Sequence, residues 1–403
     1  MKYISFMNLS KTSLVLTVLV VCLGHFLVDV MIGIWPVYKT LAHLDLAIAG
    51  LIGGICAFAG EGLQVLFGSL SDRGYRKILI LSGLIATTAS VFFVYTDSYL
   101  WIFVLYLLTC AGSGAFHPCA ASLASELSPK GRGVLIALFT SGGAFGMAFS
   151  QILFTSFHHW FSGHVLLLAI PAFMLVILAF FTRIASQPAN LVSKSGHFDI
   201  KVYINFFKNP PLRQLYFTQV CNASLLWGLM FLLPDLLSGR GYETWVSFGG
   251  GHMMFILGLA FMMLPAGYLT ERFSSRSVIL FATIAALGFF YTLLFLPQLS
   301  NPGLLSLLFC LGAALGVVQP VAIAMGTNIA PDQKGMISAF LMGLVWCVAE
   351  GIGQIGGGYL ATCFSDDAPA KALALLGLIL FIGTAIAYQL PKLERAPAIK
   401  VES

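Results

Sequence analysis

GSLSDRGYRK, residues 68–77, gathers Asp72, Arg73, Arg76 and Lys77 into ten positions of a chain in which only 9% of residues are charged. Apolar runs flank it at 46–70 and 78–96. Each is long enough for a helix to cross a bilayer, which takes about 20 residues. The decapeptide therefore reads as a polar turn between two membrane spans. Its pattern returns at 267–276 as GYLTERFSSR, where Gly267, Glu271 and Arg272 follow Gly68, Asp72 and Arg73 by 199 positions. A second echo has nearly the same displacement: Gly114, His117, Pro118, Pro129 and Gly133 are answered 202 positions on by Gly316, Gln319, Pro320, Pro331 and Gly335. The chain is a repeat of two halves.

Composition agrees. Of 403 residues, 59% are apolar, and 21 basic and 16 acidic side chains leave a formal charge of +5. Soluble domains carry roughly 45–50% apolar and about 25% charged residues. A water-facing surface, a disordered chain, a secreted disulfide scaffold and a nucleic-acid module are all excluded. Seven of the eight cysteines (all but Cys363) fall inside apolar runs, and they read as small buried hydrophobes. The first apolar stretch, 13–36, is too long for a signal-peptide core.

Twelve segments qualify as spans: 14–36, 46–70, 78–96, 99–127, 134–157, 164–182, 214–237, 246–270, 278–297, 303–329, 336–361 and 370–390. With the N-terminus inside, 18 of the 21 Lys and Arg residues fall on the cytoplasmic side, leaving Lys39, Arg240 and Lys371 outside. That asymmetry places both termini in the cytoplasm. The expected fold class is all-α, with twelve transmembrane helices in two pseudo-symmetric six-helix bundles. The expected domains are 1–182, a cytoplasmic central loop 183–213 with a short surface helix in FDIKVYINFFK, and 214–403 with a short cytoplasmic tail. Such repeats set a cavity near the midplane and let the halves rock.

GSLSDRGYRK resembles the signature loop G-x-x-x-D-R-x-G-R-R of the major facilitator superfamily. Gly68, Asp72, Arg73, Arg76 and Lys77 match it; Tyr75 stands at the second glycine, with Gly74 one place early. The resemblance covers essentially the whole chain and implies a secondary transporter. GHFLVD (24–29) and GAFHPCAAS (114–122) are similar to the fosmidomycin-resistance branch of efflux proteins. Cys119 and Ser122 replace that branch's acidic residue and arginine, so its substrate is not carried over. In the fifth span Gly133, Gly142 and Gly146 keep the spacing of an antiporter motif, but Met147 replaces its proline and Ser150-Gln151 its glycine pair. Ordinary small-residue packing explains those glycines equally well.

The loop has a physical rationale. Gly68 is expected to let two helices approach closely. Asp72 is expected near the positive N-terminus of the eleventh helix, around Gly335 and Met336, and Glu271 near that of the fifth at Gly133. With Arg73, Arg76, Lys77 and Arg272 these residues form a gating loop; the basic ones also mark topology.

No Lys or Arg is expected within a span. The intramembrane ionisable set is His25, Asp29, Glu61, His117 and Glu350, with Asp235 and His252 nearer the outer side. Such residues face a bundle interior or a wet cavity. His25 and Asp29 share one helical stripe. Asp29, assisted by His25, is the first choice for a proton carrier, followed by Glu350 and Glu61, which are also placed for hydrogen bonding across helix interfaces. The family resemblance puts helices 1, 4, 7 and 10 around the cavity, so His117, Asn222 and Gln319 join Asp29 and His25 there; Trp346 adds an aromatic wall.

No metal site is expected: His158, His159 and His164 read as exposed loop histidines. No cofactor is expected either, the energy coming from a proton gradient. A neutral to cationic small molecule is the expected substrate, because a strongly anionic one needs an intramembrane Arg or Lys. The functional expectation is a proton-coupled efflux antiporter, monomeric and integral to a bacterial inner (plasma) membrane. A proton-coupled uptake symporter is the alternative, and a receptor or intramembrane enzyme the reading outside the class. None of the enzyme motifs G-x-S-x-G, H-E-x-x-H or a P-loop is present.

Overall fold

The computed structural model describes residues 11–127, 132–180 and 200–392. All regular structure among them is helical. Ten helices are long and apolar enough to cross a membrane, and Leu166–Phe180 is a shorter apolar one. One of the ten, Leu46–Tyr95, runs 50 residues through the turn Ser71–Tyr75 and holds two spans. The twelve expected spans are therefore all present. We number them α1 (Leu14–Leu41), α2 (Leu46–Leu70), α3 (76–95), α4 (Tyr99–Glu126), α5 (Arg132–Trp160), α6 (Leu166–Phe180), α7 (Pro210–Gly239), α8 (246–272), α9 (Ser275–Phe295), α10 (Asn301–Ile329), α11 (Gly335–Thr362) and α12 (Ala368–Tyr388).

The α2–α3 turn explains one departure from the signature. Gly74 has φ +100°, a left-handed conformation that a Cβ disfavours. The loop thus keeps a glycine where its backbone reverses, and Tyr75 is free to be large.

Contacts sort the chain into two compact units. The first comprises Met1–Gly33, Leu63–Ser150 and Ser156–His197; the second comprises Ile34–Gly62, Gln151–Thr155 and Phe198–Ser403. The core of the first is built on Val20, Val21, Ile80, Leu84, Phe116 and Phe139. Glycines set its tightest seam. A Cβ on Gly142 would come within 2.6 Å of the Cys22 carbonyl oxygen, and one on Gly146 would collide with that of Phe26. The backbones of α1 and α5 therefore touch, as small residues allow between membrane helices.

In the second unit Tyr216 stacks on Phe340 with centroids 4.9 Å apart. The surface helix expected in the central loop is present as Ile200–Lys208. Phe206 and Phe207 bring it onto Phe340 at 5.4 and 5.0 Å, and burial pushes the Tyr203 hydroxyl above its ordinary pKa. Also within this unit, α2 meets α11 at glycines. A Cβ on Gly54 would lie 3.2 Å from the Gly351 Cα, and one on Gly50 3.2 Å from the Gly358 Cα.

Three expectations are corrected. Lys39 is not in a loop, and the spans are not free of cations. Pro36, at the start of the second segment of α1, needs no N–H partner, so the helix restarts and runs from Trp35 to Leu41. Lys39 is carried inside it and is fully buried. Its ammonium is paired with Asp235 of α7 and lies 4.6 Å from the centre of the Phe231 ring. Cys310, expected to be buried, is exposed on α10; a thiol is apolar enough to face lipid.

Candidate functional site

Helical spacing puts His25 and Asp29 one turn apart on α1, and His117 reaches them from α4. His25 Nε2 lies 3.5 Å from Asp29 Oδ2, and His117 Nε2 lies 3.3 Å from Asp29 Oδ1. The two imidazoles meet edge to face at 4.8 Å, and His25 stacks on Phe139 of α5 at 4.0 Å.

The Phe139 carbonyl fixes the tautomer of a neutral His25: a carbonyl only accepts, so Nδ1 donates to it at 2.7 Å and the Nε2 lone pair faces Asp29. His117 Nδ1 lies 3.0 Å from both the Ser113 carbonyl and the Ser113 hydroxyl. Two ring nitrogens thus converge on one carboxylate, and the His25 lone pair is repelled by it until a positive charge enters.

A residue absent from the sequence expectations packs directly against this cluster. A Cβ on Gly143 of α5 would collide with His25 Nε2 and stand 2.6 Å from Asp29 Oδ2. Gly142 and Gly146 were singled out for helix packing. Their neighbour faces the cluster, and only its place between two seam glycines hinted at it. Asp29 and His117 keep 16% and 24% of their side chains exposed, so the cluster is reachable.

The signature loop is organised around Arg76, which is 2% exposed. Its guanidinium grips Glu126 of α4 with two bonds, at 2.7 and 3.1 Å, and also donates to Ser122 and Ser71 at 3.1 and 3.3 Å. Such a fork is geometrically specific to arginine. Sequence reasoning had Arg76 as a gate and topology marker and did not find Glu126. Ser122 is a bonding partner of this arginine. Asp72 and Arg73 are exposed, and Lys77 lies 5.7 Å from the centre of the Phe180 ring. The close approach expected at Gly68 is not formed. A Cβ there would meet only Pro118, at an ordinary 3.8 Å. Arg272 covers Tyr268 at 5.0 Å. The side-chain surroundings of Glu271 and Gly133 lie outside the described residues.

In the second unit Glu350 is buried and Glu61 is partly so. Asn222 of α7 donates to the Leu315 carbonyl of α10 at 3.1 Å, leaving its buried Oδ1 without a partner. The amide nitrogen of Gln319 is likewise buried and unpartnered. Trp346 packs edge to face on Trp227 at 6.4 Å. These residues do not join the histidine cluster; each belongs to the second unit.

Apolar membrane-length helices with polar groups gathered inside them are the architecture of a membrane transporter. Residues 14–354 match the Major Facilitator Superfamily, and the chain belongs to it. It is 28% identical over 226 residues to the inner membrane transport protein YajR of Escherichia coli (strain K12), a match spanning 53% of this chain and about half, 49%, of YajR. It is 23% identical over 350 residues to the multidrug resistance protein MdtG of Citrobacter koseri, spanning 83% of this chain and 82% of MdtG. Among solved structures, a bacterial homologue of the human lysosomal transporter Spinster, inward-facing and unoccupied, superposes with a TM-score of 0.75 at 16% identity, covering 94% of this chain and 97% of that one. A point mutant of the nucleoside transporter NupG gives 0.75 at 12% identity, covering 94% and 99%. At these identities the structural likeness establishes the fold alone.

Proposed function

We propose that the protein exports a small organic solute from the bacterial cytoplasm in exchange for protons, by alternating access, as a monomer of the inner membrane with both termini cytoplasmic. The observation that carries the coupling is the convergence of His25 Nε2 and His117 Nε2 on the Asp29 carboxylate. A proton held there lies between two ring nitrogens and a carboxylate oxygen, all of which can share it. Glu350 and Glu61 are the second pair of carriers. Export is favoured by the likeness of GHFLVD and GAFHPCAAS, the two segments that build the cluster, to the fosmidomycin-resistance branch, and by the name of the relative MdtG.

The solute is neutral or cationic. Both buried cations among the described residues are already claimed, Lys39 by Asp235 and Arg76 by Glu126. An anion entering the site has no uncommitted partner. Asn222, Gln319 and Trp346 are the groups we assign to its recognition in the second half.

The test is flux in proteoliposomes under an imposed pH gradient. Asp29→Asn is expected to abolish gradient-driven accumulation while solute exchange without a gradient persists. Gradient-driven transport at the parental rate in that variant rejects the assignment.

A further inference from the structure

The described residues contain one group of three metal-capable side chains with their ligand atoms close together: His25, Asp29 and His117, all within 4.8 Å of one another. Two further observations separate this trio from an incidental cluster. The Nδ1 of each imidazole lies at hydrogen-bond distance from a backbone carbonyl, Phe139 for His25 at 2.7 Å and Ser113 for His117 at 3.0 Å. Metal-ligating histidines are oriented in this way, by a partner on the other ring nitrogen. Gly143 also packs against His25 Nε2 and Asp29 Oδ2 so closely that any side chain there would displace both ligand atoms. Three ligands from the chain leave a coordination sphere incomplete, the form taken by metal sites that accept an exogenous ligand.

We infer that His25, Asp29 and His117 form a binding site for a divalent first-row transition-metal ion, with zinc as the reference ion. Two imidazoles and one carboxylate suit zinc, cobalt or nickel better than the oxygen-seeking magnesium or calcium. The ion sits between the two Nε2 atoms and the carboxylate and ties α1 to α4. This inference does not depend on the coupling ion: the trio binds metal whether or not protons drive transport.

The experiment uses the full-length protein in detergent, stripped with chelator and titrated with zinc chloride by calorimetry; cobalt absorption in the visible reports the ligand field. One zinc per chain is expected. His25→Ala and His117→Ala should each weaken binding by about tenfold or more. Gly143→Ala should weaken it with all three ligands retained, and a combined H158A/H159A/H164A variant should leave it intact. Thermal melts confirm that each variant is folded; if Gly143→Ala is not, His117→Gln serves in its place. Three results overturn the inference: no stoichiometric binding by the parent, unchanged binding in the H25A/H117A pair, or loss of binding in the H158A/H159A/H164A variant alone. Flux measured in zinc-free buffer is read separately, so failure here leaves the transport proposal standing, and the reverse.

Discussion

Lys39 on α1 and Asp235 on α7, 196 positions apart in sequence, form a buried ion pair whose ammonium is wholly shut from solvent. A charge in such a place is tolerated only because its counter-charge is there. Losing one partner strands the other. Lys39→Ala or Asp235→Ala should each cost about 3–5 kcal/mol, whereas the K39M/D235L pair should recover most of it. Thermal unfolding of the four proteins, arranged as a double-mutant cycle, measures the coupling. Additive losses would show that the pair is not energetically linked.

The second prediction concerns Arg76. Its two parallel bonds to Glu126 need a planar fork, so Arg76→Lys should behave much like Arg76→Ala. Each should lose about 1.5–3 kcal/mol, the range for hydrogen bonds to charged groups. Full stability in the lysine variant, measured by the same melts, would mean that charge alone suffices.

Two glycines should respond oppositely. Gly146→Ala drives a methyl into the Phe26 carbonyl, and overpacking of this kind costs about 1–3 kcal/mol. Gly68→Ala adds a methyl at ordinary contact distance from Pro118 and should stay within about 0.5 kcal/mol of the parent. Expression level and melting temperature of the two variants check the contrast.

Arg240, just past the end of α7, donates to the last carbonyls of α9, those of Leu293 and Leu294, at 2.6 and 2.8 Å. A cation at a helix C-terminus stabilises it by about 0.3–1 kcal/mol. Arg240→Ala should therefore fray that end of α9, seen as faster amide exchange over the last turn before Phe295, with little change in the global melt. Arg240→Lys should restore the charge but only one of the two bonds.

The helical spans and the surface helix were legible in the sequence, because a bilayer imposes a length and an apolarity that hydropathy records directly. The stripe of His25 and Asp29 was legible too, since one turn of helix brings them together. That His117 joins them depends on how α4 lies against α1, and no local pattern encodes it. Lys39 was misread because a lysine near the end of an apolar run looks like a loop residue until its partner in α7 is known. Glu126 and Gly143 were missed for a similar reason: each acquires its role only from a residue on another helix. Gly68 failed in the other direction. A motif glycine suggested close packing, but a Cβ there would have only one ordinary contact, with Pro118.

The glycine seam has a mechanical consequence. Because the α1 backbone rests on Gly142 and Gly146 with no side chain interposed, no compliant layer exists to absorb relative sliding of α1 and α5. The Phe139 carbonyl that aims His25 is itself part of α5, so a tilt of that helix re-aims the imidazole at once. The aim of the His25 imidazole and the attitude of α5 are then one variable.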